Sequence, residues 1–256
     1  MHIAAMEHLM ECELAQAVQS HYPLDWKEDA ITHDLLIRLR RIGSVTLEGL
    51  WYPLQVEWEI YKLHGARETC YGDIGVLVRH RLPSGPVIEA AGFLEAKIRG
   101  RDSRTFPQVR HEQIDRILAR SRYTRLLLYD YNAVPVLTND GVDPGWEWGP
   151  FPFQGPAWTG QAMVTHGPTV PLELASAVKQ FDDGLYRFAN SFSNQMVRRF
   201  FRLHDVDFSK QAVEAVKGFP AELGSPNYVM VVRVAALGQS MPEPTGLNDN
   251  VYRMIE

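Results

Sequence analysis

Apolar residues recur every three or four positions from the start of the chain, at Ile3, Met6, Met10, Leu14 and Ala17. That spacing predicts an amphipathic helix over 1–19, ended at His21-Tyr22-Pro23 because the residue before a proline is turned away from helical geometry. The stripe Ile31, Leu35, Leu39 and Ile42 predicts a second helix over about Asp25–Arg41, with Asp25 as a candidate cap and Gly43 as its stop. The period then changes to two. Val56, Trp58 and Ile60 alternate with Gln55, Glu57 and Glu59, which reads as a strand with a polar, solvent-facing side.

From Tyr71 to Ile98 two strands are predicted, joined at Pro83-Ser84-Gly85-Pro86. Ile74, Val76 and Val78 share one face of the first, and Leu94, Ala96 and Ile98 share one face of the second. A helix from Pro107 to about Ser121 buries Val109, Ile114, Ile117 and Leu118, and an apolar strand runs from Thr124 to Val136. Residues 138–171 are rich in Gly, Pro and aromatics, with Trp146, Trp148, Phe151, Phe153 and Trp158 read first as cover for the core and otherwise as a base-stacking or subunit-binding surface. Beyond them, the chain from Leu172 predicts one long helix whose apolar residues from Leu174 to Leu203 step by three or four, with Gly184 and Asn190–Asn194 as break points. Ser209 caps a short helix to about Gly218, a strand covers Tyr228–Leu237, and a polar tail follows. The chain divides as an N-terminal helix (1–24), a core (25–137), and an aromatic loop, long helix and final strand (138–256) that pack on the core or form an interface.

Composition narrows the setting. A chain of 256 residues can bury a sizeable core, and its net charge of −5 is unremarkable. The two cysteines, Cys12 and Cys70, lack metal-ligand spacing and point to a reducing compartment. No signal-like or membrane-length apolar run is present, so a cytoplasmic location with no membrane partner is expected. Phosphate-binding, dinucleotide-binding, zinc-protease and nucleophile-elbow motifs are all missing, so any ATP-driven step falls to a partner.

One strand breaks the pattern. Phe93, Glu95 and Lys97 share a face, so an otherwise apolar strand carries an acid and a base two residues apart. Buried charges are costly unless they pair or hold a metal. Asp73 on the preceding strand adds a second carboxylate. Two carboxylates and an ammonium on one sheet make a candidate divalent-cation site. The competing readings are a structural Glu95–Lys97 ion pair, or an accidental match in an unrelated α+β enzyme.

Asp73 on one strand and Glu95-Ala96-Lys97 on the next resemble the PD-(D/E)xK nuclease superfamily, with Gly72 in place of the frequent proline. The resemblance spans about residues 25–132 as a pattern of elements. It implies an α/β (α+β) restriction-endonuclease-like core, a central mixed sheet flanked by helices, here with a helical C-terminal extension. It further implies that Asp73, Glu95 and the Ala96 carbonyl hold Mg²⁺ or Mn²⁺, and that Lys97 orients or deprotonates water or stabilises the transition state. Glu28 is the candidate helix acid that reaches the metal site, its other reading being a complement to the helix N-terminus. Of Gln108 and Gln113, Gln113 is the better supporting glutamine.

Eight arginines lie between Arg99 and Arg125, against three acids. Arg99, Arg101, Arg104 and Arg110 are the candidate phosphate contacts, since the guanidinium fork matches two phosphate oxygens; the other reading is a solvated helix face paired to Glu112 and Asp115. The expectation is therefore a metal-dependent nuclease acting on nucleic acid, DNA before RNA, in restriction, repair or anti-phage defence. Its companions are a second copy or a partner such as an ATPase or helicase subunit. The alternative is a catalytically silent nuclease-fold subunit used for binding or assembly.

Overall fold

The computed structural model describes residues 1–48, 52–64, 71–107, 109–138, 161–219, 224–244 and 246–255. Trp146, Trp148, Phe151, Phe153, Trp158, Gln108, Cys70 and most of the predicted turn at 64–67 lie outside the described residues.

The chain runs α1 (Ile3–His21), α2 (Glu28–Ile42), β1 (Val45–Leu47), β2 (Leu54–Leu63), β3 (Ile74–Arg81), β4 (Val87–Ile98), α3 (His111–Leu118), β5 (Thr124–Tyr129), β6 (Val134–Thr138), β7 (Gln161–Thr165), β8 (Thr169–Pro171), α4 (Leu172–Ser176), α5 (Phe192–Asn194), α6 (Lys210–Lys217), β9 (Tyr228–Ala236) and β10 (Tyr252–Met254). The main sheet has the order β1-β2-β9-β3-β4-β5-β8, with β10 also on β2; β6 and β7 form a separate ribbon. It is mixed: β9 is parallel to β3 and antiparallel to β2, while β4 is antiparallel to β3 and parallel to β5. Helices flank this central mixed sheet. Among the described residues no helix is long and apolar enough to cross a membrane.

The period-two pattern sorts the core. Ile74, Val76, Val78, Leu94, Ala96 and Ile98 join α1, α2 and the Phe192–Phe201 segment in one cluster. Leu77, Phe93, Val229 and Val231 face α6 in another. The first cluster draws residues from 1–24, 25–137 and 138–256 alike. β9 supplies the middle of the sheet, pairing with both β2 and β3 along its length. Glu57 and Glu59, expected to face solvent, bind Arg233 across the β2–β9 pair at 3.0 and 3.4 Å.

Several expected boundaries move. Asp25 does not cap α2: the helix starts at Glu28, its N-cap residue Lys27 makes no side-chain cap bond, and Asp25 instead pairs with Lys27 at 2.8 Å. The backbone at Asp25 is still closing the turn that leaves α1, donating to the His21 carbonyl. Pro107 lies ahead of α3, because Gly100 and Phe106 donate to Thr105 and Phe181 and hold this stretch off helical geometry. The strand expected over Thr124–Val136 is two strands, parted at Asp130, whose carboxylate accepts from the Asn132 amide in a local turn.

The long helix from Leu172 is broken into α4, a 3-10 turn at Asp183–Phe188, and α5 running into tighter and wider turns up to Arg202. Asp182 accepts from the Gly184 amide and Ser191 from the Asn194 amide, so each short polar side chain restarts a turn. Leu185, Phe192, Met196 and Phe200 stay buried despite the breaks. The polar tail returns to the sheet as β10, in register with Leu63.

Gly92 shows how tightly β4 is seated. A Cβ there would lie 2.8–3.0 Å from the fully buried Phe200 ring. Gly92→Ala is expected to lower unfolding free energy by about 1–3 kcal/mol in urea titration, the ordinary consequence of overpacking a filled core.

Candidate functional site

β3 and β4 are joined by the turn after Leu82, whose amide donates to the Pro86 carbonyl. Their antiparallel register pairs Ile74 with Leu94, so Asp73, one step before, comes beside Glu95. Gly72 makes this approach possible. Its φ of +134° is a conformation that side-chain-bearing residues rarely adopt, and a Cβ would sit 2.9 Å from the Leu94 carbonyl oxygen. Proline, with φ held near −65°, cannot take this place.

Asp73 is held from two sides. Its Oδ2 accepts from the Ala96 amide at 3.0 Å, and its Oδ1 from Asn227 Nδ2 at 3.3 Å. Glu95 lies within hydrogen-bonding reach of the Asp73 carboxyl. Its Oε1 accepts from Lys97 Nζ and from Gln113 Nε2, each at 2.5 Å. Its Oε2 is buried with no hydrogen-bond partner. Lys97 is 5% exposed, and its ammonium sits among the acids: 2.6 Å from the Ala96 carbonyl, 3.5 Å from Glu28 Oε2 and 3.7 Å from Asp73 Oδ2. The structure thus gathers Asp73, Glu95, Ala96, Lys97, Glu28 and Gln113 into one cluster.

Electrostatics follow from this crowding. Burial, reinforced by Asp73, raises Glu28 to about 8, with Lys97 opposing. Burial and Asp73 likewise raise Glu95 to about 8. For Lys97 burial acts to lower the pKa, but Glu95, Asp73 and Glu28 outweigh it and hold the ammonium above the ordinary lysine range.

The donor set suits a hard divalent cation. Among the described residues no three His, Cys, Asp or Glu groups converge as a metal cluster by themselves, so the third oxygen would come from the Ala96 carbonyl. One observation fits a cation here: Glu95 carries a buried carboxylate oxygen that has no hydrogen-bond partner.

A cleft of about 430 Å³ opens from Glu28 and Lys97 toward α3, where Gln113, Arg110 and Arg116 line it. Arg110, Arg101 and Arg104 are exposed, the last near Asp183 at 3.7 Å. Arg99, expected among the phosphate contacts, has protein partners in the structure. Its guanidinium is turned inward, bonded to Asp130 at 2.7 Å and to the Ser103 carbonyl, and set over the Tyr131 ring. Asp130 is fully buried and also accepts from Tyr186, so it needs this cation. Arg125, in the same run, is paired to Asp205.

Sequence reasoning missed Asn227. It precedes an apolar strand and carries no motif; only the insertion of β9 beside β3 brings it to Asp73.

Because Glu28 and Glu95 bind protons more tightly in the folded state, stability is fully present below their ordinary pKa of 4.5 and is lost as pH rises toward 8. Metal-free protein is expected to melt at lower temperature at pH 8 than at pH 5. In Glu95→Gln this slope should flatten by on the order of 2–3 kcal/mol in unfolding free energy, read from melting curves across that range.

Comparison with known proteins finds no family model that matches the chain, no matching curated protein and no matching solved structure.

Proposed function

We propose that this chain is a metal-dependent phosphodiesterase acting on nucleic acid, with DNA as the first substrate to consider, built on a restriction-endonuclease-like core of the PD-(D/E)xK type. The observation that carries the reading is the convergence of Asp73, Glu95, Lys97 and Glu28 at the buried end of an arginine-lined cleft. The element order α2, β2, β3, β4, α3, β5 supports it as well. β9, from outside residues 25–132, lies between β2 and β3 in the sheet.

Asp73, Glu95 and the Ala96 carbonyl would hold Mg²⁺ or Mn²⁺, which supplies charge neutralisation at phosphate and a lowered pKa for water. The other roles belong to the chain itself. Gln113 fixes the Glu95 carboxylate, and the Ala96 amide and Asn227 fix that of Asp73. Lys97 provides an ammonium for the charge that builds on a pentacoordinate phosphorus during in-line attack. Arg110, exposed on the cleft wall, would take a phosphate of a bound strand. Service in restriction, repair or anti-phage defence belongs to the same reading, as does an ATPase, helicase or second copy as partner.

A second reading draws on the 2.5 Å Lys97–Glu95 contact: a closed, buried ion pair in a subunit kept for assembly. One assay separates the two. Supercoiled plasmid, linear duplex, single-stranded DNA and RNA are incubated with Mg²⁺, Mn²⁺ or chelator. The nuclease reading expects metal-dependent cutting, abolished by Asp73→Ala and reduced by ~10²-fold or more in folded Lys97→Ala. Absence of cutting on all four substrates, together with absence of metal binding, favours the assembly subunit.

A further inference from the structure

Resting on the nucleic-acid reading above, we propose that Lys62 is a further phosphate contact, on the opposite side of the acid cluster from Arg110, so that a bound strand crosses the cluster rather than ending in the cleft. Sheet order separates the two basic groups. Strand register lines up Lys62 of β2 with Tyr228 of β9, and Tyr228 with Ile74 of β3. Asn227 and Asp73 directly precede Tyr228 and Ile74 and bond to each other, so Lys62 stands at the end of the row that holds the Asp73 carboxylate. Arg110 and Gln113 stand at the other end, where α3 shares a core with Leu126 and Leu128 of β5 and Gln113 reaches Glu95 of β4. From β2 to β4 is three strand spacings, roughly 14 Å. One strand of a duplex advances about 3.4 Å per nucleotide, so the row spans a few nucleotides.

The first turn of α2 joins the two sides. Glu28 meets Lys97 at 3.5 Å, and Asp29, the next residue, meets Lys62 at 3.5 Å. Lys62 differs from the inward-turned Arg99 in what its partner needs. Asp130 is fully buried and depends on Arg99, whereas the Asp29 side chain is 70% exposed and that of Lys62 42%. An ion pair this open to water holds its members weakly. Asp29 also accepts from the Tyr228 hydroxyl at 2.7 Å, so it keeps a partner when the lysine turns to another anion. The Tyr228 ring, 4.9 Å from the ammonium, keeps Lys62 at this edge of the cluster. An ammonium has three donors, so a phosphate oxygen can be taken here without stranding a buried acid.

The test is binding of fluorescently labelled duplex DNA, single-stranded DNA and RNA by the full chain, read by anisotropy with Mg²⁺ over a series of salt concentrations. Asp73→Asn is the common background, so that the strands stay intact. Lys62→Ala, Lys62→Met, Lys62→Arg and Arg110→Ala are compared in it, and melting curves establish folding; Lys62→Met keeps the stem beside Tyr228. A phosphate contact expects Lys62→Ala and Lys62→Met to weaken binding several-fold and to lower the steepness of log affinity against log salt by about 1, with Lys62→Arg restoring both. Lys62→Ala combined with Arg110→Ala should lower it by about 2, because the two contacts lie on separate sides of the cluster. A salt dependence unchanged in the folded Lys62→Ala and Lys62→Met proteins overturns the contact, and continued loss of affinity with Arg110→Ala leaves the nucleic-acid reading standing. A folded background protein that binds none of the three nucleic acids, with a wild type that neither binds nor cuts them, overturns that reading and the Lys62 contact with it.

Discussion

Everything at the proposed site depends on taking one ammonium and several carboxyls out of water together. Lys97 alone in this position would be strongly destabilising, as would Glu95 alone. Held together they compensate one another, with Glu95, Asp73 and Glu28 outweighing the effect of burial on Lys97. The compensation is incomplete, because burial and Asp73 still push Glu28 and Glu95 well above the ordinary carboxyl range. A buried ionic cluster of this kind is a poor source of stability compared with apolar packing. Its retention on the central strands of a core is what gives the functional reading its weight.

The framework that tolerates this cluster is rigid for identifiable reasons. β4 is paired on both sides, by β3 and β5, and its apolar face is closed against the core that contains Phe200. Gly72 lets the chain enter β3 close to the β4 backbone, which sets Asp73 under the Ala96 amide. β9 then covers the far side of β3 and presents Asn227 to the same carboxylate. Two segments, from different parts of the chain, therefore fix the two oxygens of one aspartate.

Charge elsewhere is handled by the same economy of pairing. Arg99 neutralises Asp130, and Arg125 and Arg199 together hold Asp205 in its ionised form against the opposing effect of burial. Glu7, on the buried side of α1, binds Arg198 through two bonds at 2.6 and 2.9 Å. The arginine run of 99–125 is thus divided: its ends hold the fold together, while Arg101, Arg104 and Arg110 remain exposed between them. Linear clustering of like residues says little about which of them share a surface, because each side chain answers to the acid that the fold brings nearest.

Local periodicity by itself determined the helices α1 and α2, the β3–β4 pair and the faces of their residues. It placed Glu95 and Lys97 together and apart from Leu94, Ala96 and Ile98, because side-chain direction along a strand is a property of the backbone alone. Tertiary structure decided the rest. It set β9 in the middle of the sheet, brought Asn227 to Asp73 across 154 residues, turned Arg99 inward, and broke the Leu172–Leu203 stripe into capped turns. Those outcomes depend on pairing between distant segments and on competition for buried partners. Neither is encoded in the spacing of residues along one element.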